Sequence, residues 1–380
     1  MAWTRRSGIK NAQYTHLCSL EKDIHNPSTT SSKMSQLGPI DTPIRTFEGH
    51  EDTINAVAVF PDRRRMVTCS DDKTLRLWDL NTGVVLKVVE GHSSRVEALA
   101  VSRDGQMIAS GDWSGEFIAW HGETGEPLTK PIKAHSRRPQ GPIYSVDFSP
   151  DSTVLATCSS DGTTRFWCTK TWQMQGEPID SRGVNCVRYS PSGELLAIAT
   201  DDNIQIYNAA TRECVTSFKG HTTRNLSLAW TPDGTRLLSG GGGSDPTIRE
   251  WDSSTWQQVG HPWEGHTNFI WPIAIDPTGT LVASASHDDH VYLWRLSDGQ
   301  HIDIFEHSFS SLSVTFSVDG RRIFSGGDNY KISEWEVPKG AHTKVSFHSP
   351  ILQHISSIFR ADTRCHDSPR CMCNWRPVYR

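Results

Sequence analysis

The sequence predicts an all-β fold made of seven repeated four-stranded units, and three observations carry that prediction. A stretch from Met66 to Asp79, MVTCSDDKTLRLWD, recurs almost to the end of the chain. The aromatic residues that close its copies are Trp78, Trp120, Trp167, Tyr207, Trp251, Trp294 and Trp335, spaced by 42, 47, 40, 44, 43 and 41 residues. Each copy is written in strand and turn chemistry, and a period near forty residues carried that way excludes most other architectures.

The first copy shows why each element forms. Val67 to Ser70 alternates and is rich in β-branched and small residues, Asp71-Asp72-Lys73 is a turn cluster, and Thr74 to Trp78 alternates again, so two short strands meet at a tight turn. An upstream strand precedes every hairpin, as in INAVAVFPD, VEALAVSRDG and IYSVDFSPD, and reaches it through a Pro, Asp or Gly turn. A downstream segment such as VVLKVVEGH ends at a Gly-His pair and supplies a fourth strand. The GH before the first strand and the WD closing the third resemble the WD-repeat family of β-propellers, over about residues 43 to 338. The resemblance implies a seven-bladed β-propeller with four antiparallel strands per blade, filling residues 41–340.

The two ends of the repeat are offset. PIRTFE, residues 43–48, is a strand with no preceding repeat to join, while the copy ending at Trp335 has three strands and then Val337-Pro338-Lys339-Gly340. Ring closure by the first strand completing the last blade removes the open edge, which places Ile44 to Phe47 beside Ile332 to Glu336.

The family resemblance also implies a hydrogen-bonded tetrad of His, Ser or Thr, a turn Asp and the Trp in each blade. Matched by position, blade 1 uses His50, Ser70, Asp72 and Trp78; blade 3 uses His135, Ser159, Asp161 and Trp167; blade 6 uses His266, Ser286, Asp288 and Trp294. The other blades read as incomplete and softer. Blade 5 has Gly243 at the Ser position, blade 2 has Asp112 and Ser114 between His92 and Trp120, blade 4 lacks a GH, and blade 7 has Gly327 and Asn329.

Composition bounds the remaining classes. The 380 residues are 36% hydrophobic and 21% charged, and the apolar runs are strand-length, far short of the ~18 residues of a membrane span. Nine scattered cysteines, with Cys69, Cys158 and Cys186 inside strands, read as reduced thiols in a cytosolic or nuclear protein. Residues 1–40 carry a net +3 and residues 341–380 a net +4, so the repeat region between them holds −12 of the chain's −5 total. An acidic repeat region argues against broad phosphate-backbone contact. Residues 1–40 read as a polar, mobile extension, with an organelle leader as a weak second reading of Arg5, Arg6 and Lys10. Residues 341–380 read as a basic tail, in which SPILQHISSIFR is a candidate short helix. Cys365, His366, Cys371 and Cys373 are compressed into nine residues, unlike closed zinc spacings, so no metal and no cofactor is expected. The loop KPIKAHSRRPQGPIYS accounts for the longest spacing.

Most His, Ser and Asp residues recur at one place in every repeat, which points to scaffolding rather than catalysis. GxSxG and Walker motifs are missing, and GGGGS at 240–244 lacks the GK[ST] ending of a phosphate loop, so the chain reads as a non-enzyme. Recognition falls on the face carrying the GH loops. There the residues before each turn Asp and near the start of each inner strand are mostly polar. Trp113, Tyr144, Trp271 and His287 break that trend, with Arg95 and Phe269 nearby, and large aromatics with Arg are the usual anchors of protein interfaces. The expected role is a protein–protein interaction scaffold or adaptor for a protein or peptide with basic and apolar residues. It would act as a monomeric propeller within a larger complex, with no membrane contact and nucleic acid reached only indirectly. Alternatives are an enzyme or small-ligand binder using the central channel, and a subunit of a chromatin or RNA-processing complex.

Overall fold

Strands Arg65–Ser70 and Leu75–Asp79 pair as an antiparallel hairpin with Met66 opposite Trp78 and Cys69 opposite Leu75. The turn between them closes with Lys73 N donating to Ser70 O at 3.1 Å, and Lys73 takes a left-handed φ of 71°. Gly162, Asp289 and Tyr330 take the same left-handed conformation at the matching turns of later copies. The computed structural model describes residue 40, residues 42–136 and residues 141–342. The extension, the tail with its candidate helix, the Cys365, His366, Cys371 and Cys373 cluster and part of the long loop lie outside the described residues.

The strands form seven four-stranded antiparallel sheets. In each blade the upstream strand is innermost, from Ile54–Val59 in blade 1 to Ser311–Phe316 in blade 7, and the downstream strand is outermost. The core lies between sheets rather than in one centre. Phe60, Val67 and Leu77 of blade 1 pack with Ile108, Ile118 and Trp120 of blade 2, and equivalent layers follow round the ring. Burying each such side chain contributes about 1.5–3 kcal/mol.

The last sheet is closed by the first strand, as the sequence offset predicts. Arg45–Glu48 pairs antiparallel with Lys331–Glu336, setting Arg45 opposite Glu334 and Phe47 opposite Ile332. Ion pairs flank the seam: Arg45 Nε to Glu334 Oε2 at 2.7 Å and Lys331 Nζ to Glu48 Oε1 at 2.8 Å. Phe47 is fully buried edge-on to Trp78 at 5.8 Å and Phe324 at 6.1 Å, so one side chain joins the last blade to the first.

The tetrads form with a different hydroxyl from the one the positional match chose. In blade 1, Trp78 Nε1 donates to Thr68 Oγ1 (2.9 Å), and His50 meets Thr68 through Nε2 (2.7 Å) and Asp72 through Nδ1 (2.7 Å). Ser70 instead accepts from Asp72 N and donates to Asp52 O. The hydroxyl is likewise Thr157 rather than Ser159 in blade 3, and Ser284 rather than Ser286 in blade 6. The pairing register is the reason. With Met66 opposite Trp78, Thr68 is two residues along the same face, whereas Ser70 is two residues farther, about 7 Å nearer the turn. The two serines Ser159 and Ser286 cap their turns as Ser70 does.

The same register completes blades that read as deficient. Blade 2 joins Trp120 and His92 through Ser110, and Asp112 reaches His92 Nδ1 at 2.9 Å from the strand end. Blade 5 uses Ser239 between His221 and Trp251, with Asp245 3.6 Å from His221. Blade 7 joins His307 and Trp335 through Ser325, but Asn329 replaces the carboxylate. Blade 4 alone among the seven has an apolar residue, Ile198, in the hydroxyl's register position, with Tyr207 in place of Trp.

The donors that are fixed set part of each chain. Indole N–H only donates, so Thr68 Oγ1 accepts from Trp78, and His50 Nδ1, 2.7 Å from an Asp72 carboxylate oxygen, donates to it. Burial opposes ionisation of Asp72, but the hydrogen bonds from His50 and Thr74 outweigh it and hold the carboxyl well below its ordinary range. In blade 3 the same balance lowers Asp161 to about 2. His307 lacks that acceptor, and burial, aided by the nearby His290, pushes it down to about 4.

Thr68→Val leaves two buried ring nitrogens without a partner and should cost about 2 kcal/mol or more, against about 1 kcal/mol for Ser70→Ala; urea unfolding midpoints that rank the two the other way would contradict the assignment. A depressed imidazole makes stability full above the unfolded value near 6.5 and erodes it as pH falls towards 4. Asn329→Asp gives His307 an acceptor and raises its affinity for protons. Thermal melts of that variant should therefore lose less between pH 6.5 and 4.5 than the parent's, and parallel curves would count against this reading.

Candidate functional site

The site is built from a backbone irregularity repeated in every blade. Near the start of each inner strand the pairing slips: Ile54 faces Ser70 but Ala56 faces Cys69, which leaves Asn55 without a partner on the neighbouring strand. All seven inner strands carry this bulge. A bulge bends the strand and re-aims the extra side chain. The bulged residues Asn55, Glu97, Tyr144, Asn185, Leu226, Trp271 and Leu312 all line one cavity of about 450 Å³ along the axis of the ring.

Two bulged asparagines hold the framework of this mouth. Asn55 donates to Asp71 Oδ1 (2.7 Å) and to Val96 O of the next blade (2.9 Å). Asn185 repeats the arrangement with Asp201 Oδ1 (3.1 Å) and Asn225 O (2.9 Å). The acid of each pair also meets an arginine from the following blade, Arg95 at 3.9 Å from Asp71 and Arg224 at 2.7 Å from Asp201. The seams between blades are thereby pinned where the cavity opens.

Between those seams stand two aromatic groups. Arg95 lies 3.6 Å over the Trp113 ring, and Trp113 meets Tyr144 edge-on at 6.3 Å. Stacking of this kind contributes about 0.5–1 kcal/mol when exposed. Arg95 also pairs with Glu97 at 2.8 Å, and burial pushes the Glu97 carboxyl up to about 7 against the pull of that arginine. Across the opening, Trp271 stacks beside Phe269 at 6.2 Å and meets His287 at 5.7 Å, with 37% of its surface exposed.

The structure thus gathers Arg95, Trp113 and Tyr144 into one cluster and Phe269, Trp271 and His287 into another; five of these six line the cavity, and Phe269 supports Trp271 from beside it. The sequence placed Glu97 on this face as one of the polar positions, but named neither Arg224, which lines the same mouth, nor Phe309, 55% exposed in the loop before the inner strand of blade 7. The breaks in the polar pattern at the bulge position signalled Leu226 and Leu312 as strongly as Trp271. What the pattern lacked was the side-chain pairing, which sets Arg95 over Trp113 and Phe269 beside Trp271.

No helix among the described residues is long and apolar enough to cross a membrane, and no cluster of three metal-ligating side chains occurs among them. The family described as WD domain, G-beta repeat matches residues 41–79, 83–121, 125–168, 169–208, 212–252 and 257–295, more than half of the chain. The chain is 23% identical over 341 residues to Transducin beta-like protein 3 of Rattus norvegicus, covering 84% of this chain and 42% of that protein. It is 24% identical over 365 residues to Nuclear distribution protein PAC1 of Arthroderma benhamiae, covering 85% and 68%. Denticleless protein homolog B of Xenopus laevis is 24% identical over 304 residues, covering 67% and 42%. The chain spans less than half the length of the rat and frog proteins and about two thirds of the fungal one. Six matched repeats, a ring of seven four-stranded sheets and the His–hydroxyl–Trp chains agree: the chain belongs to the WD domain, G-beta repeat family of β-propellers.

Proposed function

We propose that this propeller is a non-catalytic adaptor that captures a protein or peptide partner at the mouth of its channel. Propellers of this family generally serve as protein-interaction scaffolds. The observation that carries the reading here is the pair of aromatic clusters standing on bulged, backbone-fixed positions round one opening. Rigid aromatic side chains bind with little ordering cost, and interface energy concentrates in such anchors.

The excess of acids over bases in residues 41–340 favours a partner segment with basic and apolar residues. Asp71 and Asp201 place carboxylates at the rim, while Trp271 and Phe309 supply exposed apolar surface. The recurring His, Ser and Asp residues are occupied in the tetrads, where each holds a blade together, and this supports a scaffold rather than a nucleophile and base. Buried free thiols at Cys69, Cys158 and Cys186, packed as small apolar residues, support a cytosolic or nuclear setting.

Affinity capture with mass spectrometry, run on the full chain and on residues 41–340, identifies the partner. Trp113→Ala combined with Trp271→Ala should then weaken its capture at least tenfold, each anchor being worth about 2 kcal/mol. The melting temperature should stay close to the parent's, and capture undiminished in the double variant would reject the mouth as the site.

A further inference from the structure

Each sheet ends in an outermost strand whose far side belongs to no neighbouring blade, and six of these seven edges are short, interrupted, covered or largely polar. An open strand edge invites pairing with another chain unless it is blunted in such a way. In blades 2 and 3 the strand is two residues long and follows a proline: Ile132–Lys133 after Pro131, and Ile179–Asp180 after Pro178. Blade 5 carries Gly260 and Pro262 within Gln258–Trp263. Blade 6 is covered, since Ile40 N donates to Ile304 O at 2.8 Å and Glu306 N donates to Ile40 O at 3.0 Å. In blade 7, Arg45–Glu48 exposes Thr46 and Glu48, and in blade 4, Cys214–Phe218 exposes Cys214, Val215 and Ser217.

Blade 1 is the exception. Its outer strand Val85–Val89 has no proline or glycine, and exposure alternates along it: Val84, Leu86 and Val88 are 59%, 52% and 41% exposed, while Val85, Lys87 and Val89 turn inward. The pairing slip opposite Trp78 recurs in blades 4 and 6 and leaves that alternation intact. Lys87 is the one charge in the strand, and Glu126 of blade 2 already engages its Nζ. The exposed row Val84, Leu86, Val88 reads the same in both directions about Leu86. Two such strands placed antiparallel about a two-fold axis at Leu86 set leucine against leucine, flanked on each side by Val84 against Val88 of the second copy. Moving the axis by one residue sets Lys87 against Lys87, so the register is specified.

We propose that the outer edge of blade 1 is a homodimer interface, where the Val85–Val89 strands of two copies pair antiparallel and join two four-stranded sheets into one. The occupant is a second copy rather than an unrelated strand because the exposed row is self-complementary and the charge in the strand is neutralised within the chain. Edge pairing alone buries little surface, so the dimer forms and dissociates with concentration. The edge lies at the circumference and the mouth on the axis, so pairing leaves both mouths open to a partner with repeated sites. The chain is then a dimer rather than the monomeric propeller expected from its sequence, and this does not depend on capture at the mouth.

Sedimentation velocity of the full chain over a concentration series tests the interface. The mass should rise from the 42.4 kDa of one chain towards twice that value. Leu86→Lys and Leu86→Glu should each weaken self-association at least tenfold by setting like charges against each other at the axis. Mixing the two variants should restore it, since Lys then faces Glu, a rescue that follows only from a two-fold contact at this residue. Val215→Lys, at an equally exposed position on the blade 4 edge, should leave the dimer unchanged. All three changes fall on exposed side chains, so each variant should melt as the parent does. A chain monomeric up to about 100 µM overturns the proposal, whether another protein's strand or residues of this chain outside the described ones cover the edge. A dimer that survives Leu86→Lys, an equal loss in Val215→Lys, or Lys and Glu variants that stay apart when mixed would each reject pairing at Leu86.

Discussion

A four-stranded sheet with apolar residues on both faces cannot stand alone in water, and the whole chain is a solution to that constraint. Each sheet needs a neighbour on either side, and a linear stack would leave two outer faces bare. A closed ring leaves none. The layers between blades hold the large buried side chains, and the strand Arg45–Glu48 makes the closure covalently continuous with the first blade and hydrogen-bonded into the last.

Inside that ring the division of labour follows from burial. The tetrads satisfy polar groups that must be buried beside the Trp, and they differ where residues fail to supply a link: in blade 4 Ile198 takes the hydroxyl's place and Tyr207 donates instead to Gln205, which also accepts from Ser181, and Asn329 in blade 7 truncates the chain. The bulges act in the opposite sense. They break regular pairing at the inner end of each blade and turn seven side chains towards the axis, so variation at one backbone position writes the chemistry of the mouth. Framework and recognition thus use different residues of the same repeat, which is how one scaffold can carry many specificities.

The fold was legible because its signals are local and repeated: alternation, turn clusters and a steady period. Closure was legible too, from an unpaired strand at one end and a missing strand at the other. The tetrad hydroxyl was misplaced by two residues because the match followed nearness to the turn Asp, whereas the register follows the Trp. A hydroxyl ten residues before the Trp, as in Thr68, Ser110, Thr157, Ser284 and Ser325, was the available signal. The gathering of Trp113 with Tyr144 was foreseen only as a shared face. The pairing of Asp147 with blade 4 escaped notice, since an acid and a base about forty residues apart look like ordinary exposed strand positions until neighbouring blades bring Asp147 to Tyr189 N and Arg188 to Ser145.

The seam between first and last blade bears the most weight, because every other sheet relies on it indirectly. The melting temperature of a chain lacking residues 41–48 measures its contribution directly. Loss of Phe47, of four paired residues and of the Arg45–Glu334 contact should lower it sharply, with unfolding still a single transition. A melt that matches the intact chain would contradict closure as the source of the ring's stability.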